Sequence, residues 1–289
     1  MSLVQSEIDN MTENCLEAYS EIEDARIKEI VQGLIRYMHG YVREIKPTDE
    51  EWEFAWTFMA NMAKFTGEAR NEYLLLFDVL GVSQLIEAVD HQRPAGYALV
   101  GPFYRANSPA RKRGESIASS DTAGDRVRVT GKVYDIDSSA PIRGTLDVWQ
   151  AATNGLYENQ DKNQPDYNLR GRFETDHSGT FELTALMPTA YPAPTDGPVG
   201  KLLEIAHRSP YRPAHIHFIV FAPNYETFVT QLFVKGDQQI ASDVVFTASE
   251  AMVGDFHREN GEWRLNYDFP LKRGVSKIPK APIGSWTRK

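Results

Sequence analysis

The sequence has a single cysteine, Cys15, among 289 residues. One cysteine excludes an internal disulfide and any metal site built on paired cysteines, so the chain needs no oxidising compartment. The N-terminus lacks a basic stretch followed by an apolar core, and no apolar run approaches the ~20 residues that cross a bilayer. We therefore expect a cytoplasmic protein that neither enters the secretory route nor binds a membrane.

Basic residues are also in short supply, because 31 Lys and Arg stand against 40 Asp and Glu, a formal net charge of −9. A negatively charged protein lacks long-range attraction to nucleic-acid phosphates and to anionic lipids. The charge balance therefore argues against a nucleic-acid partner. The remaining composition, 42% hydrophobic and 25% charged, is that of a globular protein with room for about two domains.

Proline is almost missing from the first third of the chain, where only Pro47 precedes residue 94. Apolar residues within 24–45 recur every three or four positions, which predicts an amphipathic helix. After Pro47, Thr48 and Glu51 have the spacing of a capping box, which predicts a second helix that runs to about Lys64.

A third apolar stretch, residues 68–89, is interrupted only near Gly81. The helical region carries more large apolar residues than one small bundle needs, among them Trp52, Phe54, Trp56, Phe58 and Met59. Such a surplus indicates a partner surface, for example a second copy of the chain. The alternative is that these side chains pack against the other domain.

From Arg126 the apolar period changes to two, which is typical of β-strands. Further short alternating runs follow at residues 145–151, 172–175, 180–183, 215–221 and 227–234. Residues 176–179 between two of these runs predict a hairpin turn. Many short strands without intervening helices favour an antiparallel sandwich or barrel. We therefore predict an α+β protein with a helical segment at 1–100 and an antiparallel β-sandwich at 101–289.

The common phosphate-binding and acyl-enzyme motifs are absent, and the most distinctive pattern is a pair of histidines in a predicted strand. His215 and His217 stand two positions apart, so both imidazoles face the same side, as metal ligands do. Two histidines also occur in half-buried strands without a metal. Tyr157 and Tyr191 lie in loops between strands, and only a strongly Lewis-acidic ion such as Fe(III) keeps a phenolate deprotonated near neutral pH. Without further information, these residues indicate only a strand with two histidines that is able to bind a metal.

Segments spread over nearly the whole chain resemble those of intradiol ring-cleaving dioxygenases. The matching segments are 101–104, 146–151, 155–157, 184–188, 191–192, 212–217 and 230–231. The helical region around residues 78–83 resembles the segment that catechol and hydroxyquinol 1,2-dioxygenases carry. The resemblance implies a β-sandwich catalytic domain that follows a helical dimerisation segment.

The resemblance also implies a set of iron ligands and catalytic residues. One non-haem Fe(III) per subunit would be bound by Tyr157, Tyr191, His215 and His217, with hydroxide or water completing the shell. Tyr191 would take a proton from the incoming ortho-diol and leave the iron, and O2 would then attack the activated ring. Arg212 would stabilise developing negative charge. Gln231 would hydrogen-bond to that arginine or to the reacting group.

The pocket implied by the resemblance is lined by Leu75, Asp78, Pro102, Phe103, Arg212 and Val245. Hydroxyquinol-cleaving relatives resemble this chain in having an aspartate at position 78, whereas catechol-cleaving ones tend to carry an apolar residue or proline. A carboxylate there accepts a hydrogen bond from a third ring hydroxyl, and leaving it unpaired costs about 1–3 kcal/mol. The alternative for Asp78 is a helix cap or a solvent-facing residue.

We therefore predict an intradiol dioxygenase that cleaves hydroxyquinol to 3-hydroxy-cis,cis-muconate. One alternative is a catechol 1,2-dioxygenase that gives cis,cis-muconate, and another, of a different class, is a metal-free β-sandwich binding module. Relatives form homodimers through the helical segment and hold a phospholipid there. The resemblance thus implies a homodimer and a structural phospholipid for this chain.

Overall fold

The computed structural model describes residues 3–67, 70–90 and 96–281. The chain forms two compact units, residues 1–60 and 61–289. No helix in the described ranges combines the length and apolar character needed to cross a membrane. The predicted division into a helical part and a catalytic part at residue 100 stays a prediction.

Helices make up most of the first third of the chain. They are α1 (Leu3–Ala18), α2 (Ala25–Ile45), α3 (Asp49–Met62), α4 (Glu72–Val79) and α5 (Val82–Asp90), and a later helix is α6 (Pro198–Ile205). The Asp24 carboxylate caps α2 by accepting hydrogen bonds from two backbone N–H groups in its first turn. The predicted capping box also forms. The Thr48 N–H donates to the Glu51 carboxylate at 2.8 Å, and the Glu51 N–H donates to the Thr48 hydroxyl at 3.2 Å.

The predicted break at Gly81 separates α4 from α5. Gly81 has φ +72°, a left-handed conformation that favours glycine. Residues 68 and 69, at the start of the predicted third stretch, lie outside the described residues.

In the first unit, the apolar stripe of α2 is exposed. No residue of α2 is buried. The stripe residues that are about half exposed are Ile27, Ile30, Leu34, Met38, Tyr41, Val42 and Ile45. Its polar contacts to α1 include a 3.0 Å hydrogen bond between the Thr12 hydroxyl and His39 Nδ1. The single chain thus leaves uncovered an apolar face that helices ordinarily bury.

The second unit contains two five-stranded sheets. The strands are β1 (Arg126–Asp135), β2 (Thr145–Trp149), β3 (Arg170–Glu174), β4 (Thr180–Leu186), β5 (Tyr191–Pro192), β6 (Tyr211–Arg212), β7 (His215–Phe221), β8 (Phe228–Val234), β9 (Val253–Gly254), β10 (His257–Glu259), β11 (Glu262–Asn266) and β12 (Phe269–Leu271). One sheet has the order β10-β11-β1-β12, with β4 also paired to β1, and the other has the order β3-β2-β7-β8-β9. Inward-facing residues of both sheets share one apolar core. A helical segment followed by a β-sandwich is therefore confirmed.

The prediction of a purely antiparallel sandwich is wrong. Strands β11 and β12 pair with β1 in parallel, and β9 pairs with β8 in parallel. A tight hairpin joins only antiparallel neighbours, and the chain between parallel partners is long, from Asp135 to Glu262 between β1 and β11 and from Val234 to Val253 between β8 and β9. The alternation within each strand predicts that it is a strand, whereas the direction of its partner depends on the path of the whole chain.

Strand β7 is buried on both faces, and this positions the candidate site. Ile216, Phe218 and Val220 point into the core between the sheets. His215 and His217 alternate with them and therefore point to the opposite face. Both histidines are only 2% exposed.

Candidate metal centre and substrate cavity

The two histidines of β7 lie side by side. Their Nε2 atoms are 3.0 Å apart. His215 Nδ1 is 2.6 Å from the Pro213 carbonyl oxygen, to which it donates. This hydrogen bond leaves the lone pair on His215 Nε2, which is the tautomer that a metal ligand requires.

Two turns bring the tyrosines to the same point. Tyr157 follows β2, and Tyr191 begins β5, opposite Arg212 of β6. Gly155 has φ +80°, and a β-carbon there would lie 3.1 Å from the Tyr191 β-carbon. The close approach of the two tyrosine-bearing segments therefore favours glycine at this turn.

Four polar atoms converge at this position. The Tyr157 hydroxyl oxygen is 2.9 Å from the Tyr191 hydroxyl oxygen and 2.9 Å from His217 Nε2. The Tyr191 hydroxyl oxygen is 3.4 Å from His215 Nε2. The structure therefore brings together all four side chains that the sequence analysis selects as metal ligands.

The donor set fits a metal ion. Ligands bound at about 2.1 Å and at right angles lie roughly 3.0 Å apart, close to the separations found here. Among the described residues no group of three or more His, Cys, Asp or Glu is placed to hold a metal, so a site here requires the tyrosines. Imidazole nitrogen and phenolate oxygen suit a hard, strongly Lewis-acidic ion such as Fe(III).

Burial keeps the four side chains neutral until a cation binds. It raises the pKa of the Tyr157 and Tyr191 phenols above the usual 10. It also lowers the pKa of His215 to about 3, with a further contribution from the Arg212 guanidinium, and lowers that of His217 well below its usual range. Neutral imidazole is already the metal-binding form. The phenols must lose protons, so metal binding here releases protons.

Arg212 lies beside this cluster in a buried hydrogen-bond network. Its Nη2 donates to the Gln231 side-chain oxygen at 2.7 Å, and its Nε donates to Asp243 at 3.2 Å. Its Nη1 is 3.3 Å from His215 Nε2. Burial alone raises the pKa of Asp243, but the adjacent guanidinium outweighs this, so the pKa of Asp243 is lowered and the carboxylate stays charged. Gln231 in turn donates to the Leu99 carbonyl at 3.0 Å.

Asp243 is not among the residues predicted from the sequence. No motif surrounds it, and it follows Arg212 by 31 residues. Trp149 is also outside the predicted set, and its ring stacks on His217 with centroids 4.6 Å apart and an interplanar angle of 8°. The only available signal for Trp149 was strand register, because it pairs with His217 across β2 and β7.

A cavity opens beside the candidate ligand side chains. All six predicted pocket residues line it, namely Leu75, Asp78, Pro102, Phe103, Arg212 and Val245. Tyr157, Tyr191 and His217 also line it, whereas His215 and Gln231 do not. The lining is mostly apolar with a few convergent polar groups, as in sites for small molecules.

Asp78 is one of the few charged groups in this cavity. It is 3% exposed in the last turn of α4, so it does not face solvent. Burial raises the pKa of Asp78 to about 6, although a hydrogen bond from Ser83 and the charge of Arg212 act in the opposite direction. A buried carboxylate with a raised pKa in a cavity is typical of functional sites.

Comparisons with known proteins agree with this geometry. A family model described as "Dioxygenase" matches residues 99–273, and one described as "Catechol dioxygenase N terminus" matches residues 24–97. The chain is 41% identical over 271 residues to a hydroxyquinol 1,2-dioxygenase of a Rhizobium species, covering 88% of this chain and 91% of the relative. It is 34% identical over 266 residues to a 6-chlorohydroxyquinol 1,2-dioxygenase of Cupriavidus pinatubonensis, covering 91% of this chain and 96% of the relative.

A solved structure is also similar. The crystal structure of a hydroxyquinol 1,2-dioxygenase from Pseudomonas putida superposes with a TM-score of 0.85 at 33% identity. The match covers 93% of this chain and 100% of that protein. The similarity therefore extends over both the helical segment and the sandwich.

Proposed function

The chain belongs to the intradiol ring-cleaving dioxygenase family, and from that premise we propose that it cleaves hydroxyquinol (benzene-1,2,4-triol) between its ortho hydroxyls. Both atoms of O2 enter the product, 3-hydroxy-cis,cis-muconate, which is the enol of maleylacetate. The observation that carries the choice of substrate is the buried carboxylate of Asp78 in the cavity that Tyr157, Tyr191 and His217 also line.

Asp78 supplies what a third ring hydroxyl needs. Its carboxylate would accept a hydrogen bond from that hydroxyl in addition to the one from Ser83, whereas catechol offers no such donor. A site built to hydrogen-bond a substrate hydroxyl discriminates strongly against the analogue that lacks it. Hydroxyquinol is therefore favoured over catechol.

The proposed cofactor is one Fe(III) per subunit, held by Tyr157, Tyr191, His215 and His217. The bound ion supplies Lewis acidity, which lowers the pKa of the phenols and of the substrate diol and favours reaction of the ring with O2. The support for this proposal is the donor set and its separations of 2.9–3.4 Å. Measuring iron content together with the visible spectrum tests it. A red-brown tyrosinate band is expected, and a colourless protein that contains iron would exclude the tyrosines as ligands.

The chain's own residues handle protons and charge. The Tyr191 phenolate accepts one proton from the ortho-diol, because it lies at the cavity surface and its protonated form is favoured by burial. Arg212 keeps a positive charge beside the reacting ring and stabilises negative charge that develops there. Pro102, Phe103 and Val245 provide apolar walls that exclude water and hold a flat ring.

The test of substrate choice is Asp78→Ala, assayed for kcat/KM with hydroxyquinol and with catechol. We expect the hydroxyquinol value to fall about 10- to 100-fold more than the catechol value. Asp135→Ala is the matched control, since Asp135 is another carboxylate that is 1% exposed and hydrogen-bonded but lies outside the cavity. An equal loss on both substrates would remove the hydroxyquinol assignment. A wild-type preference for catechol would favour the catechol 1,2-dioxygenase alternative, and protein that binds no iron would favour the metal-free module.

We also propose that the chain forms a homodimer through its N-terminal helices. The apolar stripe of α2 is exposed in the single chain, and a second copy of the chain would cover it. Sedimentation as a 32.7 kDa species would contradict the dimer.

We propose in addition that the helical region binds a structural phospholipid. Mass spectrometry of organic extracts tests this. The cytoplasmic location stays a prediction.

A further inference from the structure

Arg208, three residues after the end of α6, connects two segments of the cavity wall. Its Nη1 donates to the Val79 carbonyl oxygen at 2.7 Å, and its Nη2 donates to the Val244 carbonyl oxygen at 3.0 Å. Val79 directly follows Asp78, and Val244 directly precedes Val245. One guanidinium therefore joins the backbones of two segments whose neighbouring side chains line the cavity.

The chemistry of both partners suits an arginine. Val79 is the last residue of α4, and the last carbonyls of a helix lack partners within the helix and attract a cation. The guanidinium is a planar fork that reaches two carbonyls at once, whereas a lysine ammonium is a single point charge. The bridge is therefore specific to arginine.

An aromatic ring reinforces the same bridge. The Arg208 guanidinium carbon lies 4.3 Å from the ring centroid of Phe246, a residue held at φ +59°. A β-carbon on Gly81, at the end of α4, would lie 3.3 Å from that ring. The Phe246 ring thus contacts both Arg208 and the turn that follows α4, and it adds a cation–π contact to the two hydrogen bonds.

The first residue of α4 is bound to helix α6. The Glu72 carboxylate, at the start of α4, is fully buried and accepts a hydrogen bond from the Val199 N–H at 3.0 Å, in the first turn of α6. The start of α4 is thus tied to the start of α6, and the end of α4 is tied to Arg208. Leu75 and Asp78 lie between these two ties.

We propose that Arg208 is a positioning residue for substrate discrimination, because it sets the spacing between Asp78 on α4 and the wall segment that carries Val245. This inference rests on the proposed cleavage of hydroxyquinol. Arg208 itself does not line the cavity and contacts none of the four ligand side chains through a hydrogen bond in the described structure. Its effect on the substrate passes through the two backbone segments that it joins.

The test is Arg208→Lys, which keeps the charge but removes the planar fork. We expect the ratio of kcat/KM for hydroxyquinol to kcat/KM for catechol to fall about five- to tenfold, mainly through a higher KM for hydroxyquinol. Iron content and the visible band of the resting protein should not change. Arg258→Lys is the matched control, since Arg258 also stacks on an aromatic ring, Trp263, and hydrogen-bonds to a carboxylate, Asp125, outside the cavity.

A double-mutant cycle distinguishes positioning from general damage. If Arg208 acts through Asp78, adding Arg208→Lys to Asp78→Ala should not lower the substrate ratio further. An equal fall in both backgrounds would overturn the proposal.

Phe246→Leu is an independent variant, for which we expect a smaller shift of the substrate ratio in the same direction. It replaces Arg208→Lys as the test if that variant fails to fold. An unchanged ratio in the folded variants, with wild-type protein that prefers hydroxyquinol, would reject the role of Arg208 and leave the proposed function intact. Wild-type protein without that preference would reject both.

Discussion

Three of the four candidate ligand side chains line the same cavity as Asp78, but the ligands and the wall that carries Asp78 are held in place in different ways. His215 and His217 lie on β7, a strand with paired neighbours on both sides. Asp78 lies on the short helix α4, which is attached to α6 and Arg208 by side-chain contacts with backbone groups. The two histidines of the candidate metal centre are thus held by a central strand and the two tyrosines by turns beside it, whereas the proposed substrate choice depends on a helix and a loop.

The largest effect should come from breaking the ligand cluster. Tyr157→Phe keeps the ring, which stacks on Phe103 with centroids 5.0 Å apart, but removes the proposed ligand oxygen. We expect turnover to fall more than ~10³-fold with both substrates, since this loss exceeds that of a single transition-state donor. The tyrosinate band should change as well. The check is a rate assay combined with visible spectroscopy.

Tyr225→Phe is the control for that experiment, because it removes one hydroxyl that bonds to Asp135 at 2.9 Å, away from the cavity. It should leave both the band and the rates near their wild-type values. Full activity of Tyr157→Phe would show that the cluster is not the reaction centre.

An intermediate effect on turnover should follow from weakening the ion pair between Asp243 and Arg212, which lies beside both the ligand cluster and the cavity wall. Asp243→Asn weakens the buried ion pair that orients Arg212 while it preserves the shape of the side chain. We expect kcat to fall on the order of 10- to 100-fold with both substrates, because small displacements of a positioning group have effects of this size. The ratio between substrates should stay close to the wild-type value. Steady-state kinetics with both substrates checks this, and a change in the ratio alone would assign Asp243 to discrimination.

The smallest effect is on the free energy of unfolding, and it concerns Asp78 in the cavity wall. Since the pKa of Asp78 is raised to about 6 from a usual value of 3.8, its burial destabilises the folded protein as pH rises through this range. Below pH 3.8 the carboxyl is protonated in both the folded and unfolded states, and above pH 6 it is charged in both. Asp78→Asn should therefore raise the free energy of unfolding by on the order of 1–3 kcal/mol at pH 8, and by much less near pH 4.

Urea unfolding of iron-free protein at the two pH values measures this difference. A gain that is independent of pH would mean that the charge of Asp78 does not cost stability. A gain at pH 8 together with a loss of hydroxyquinol preference would mean that the cavity keeps a charged group for recognition at the expense of stability.

Local patterns made some of this structure predictable. The predicted helix at 24–45 matches α2 almost residue for residue, since its apolar period and its Asp24 cap are properties of adjacent residues. The predicted strand at 215–221 matches β7 for the same reason. In contrast, α6 was not predicted, and neither were the parallel pairings of β9, β11 and β12. These features depend on contacts between segments that are far apart in the chain.

The sequence by itself determined that His215 and His217 share one face of a strand, because alternation is a property of any extended chain. Resemblance of short motifs to a known family then indicated the two tyrosines and the six pocket residues. Only the tertiary structure decided that the Tyr157 hydroxyl meets an imidazole 60 residues later, that Asp243 orients Arg212, and that Arg208 joins two walls of the cavity. The physical reason is that hydrogen bonds and ion pairs form between whichever groups the folded chain brings within about 3 Å, and local sequence carries no record of that distance.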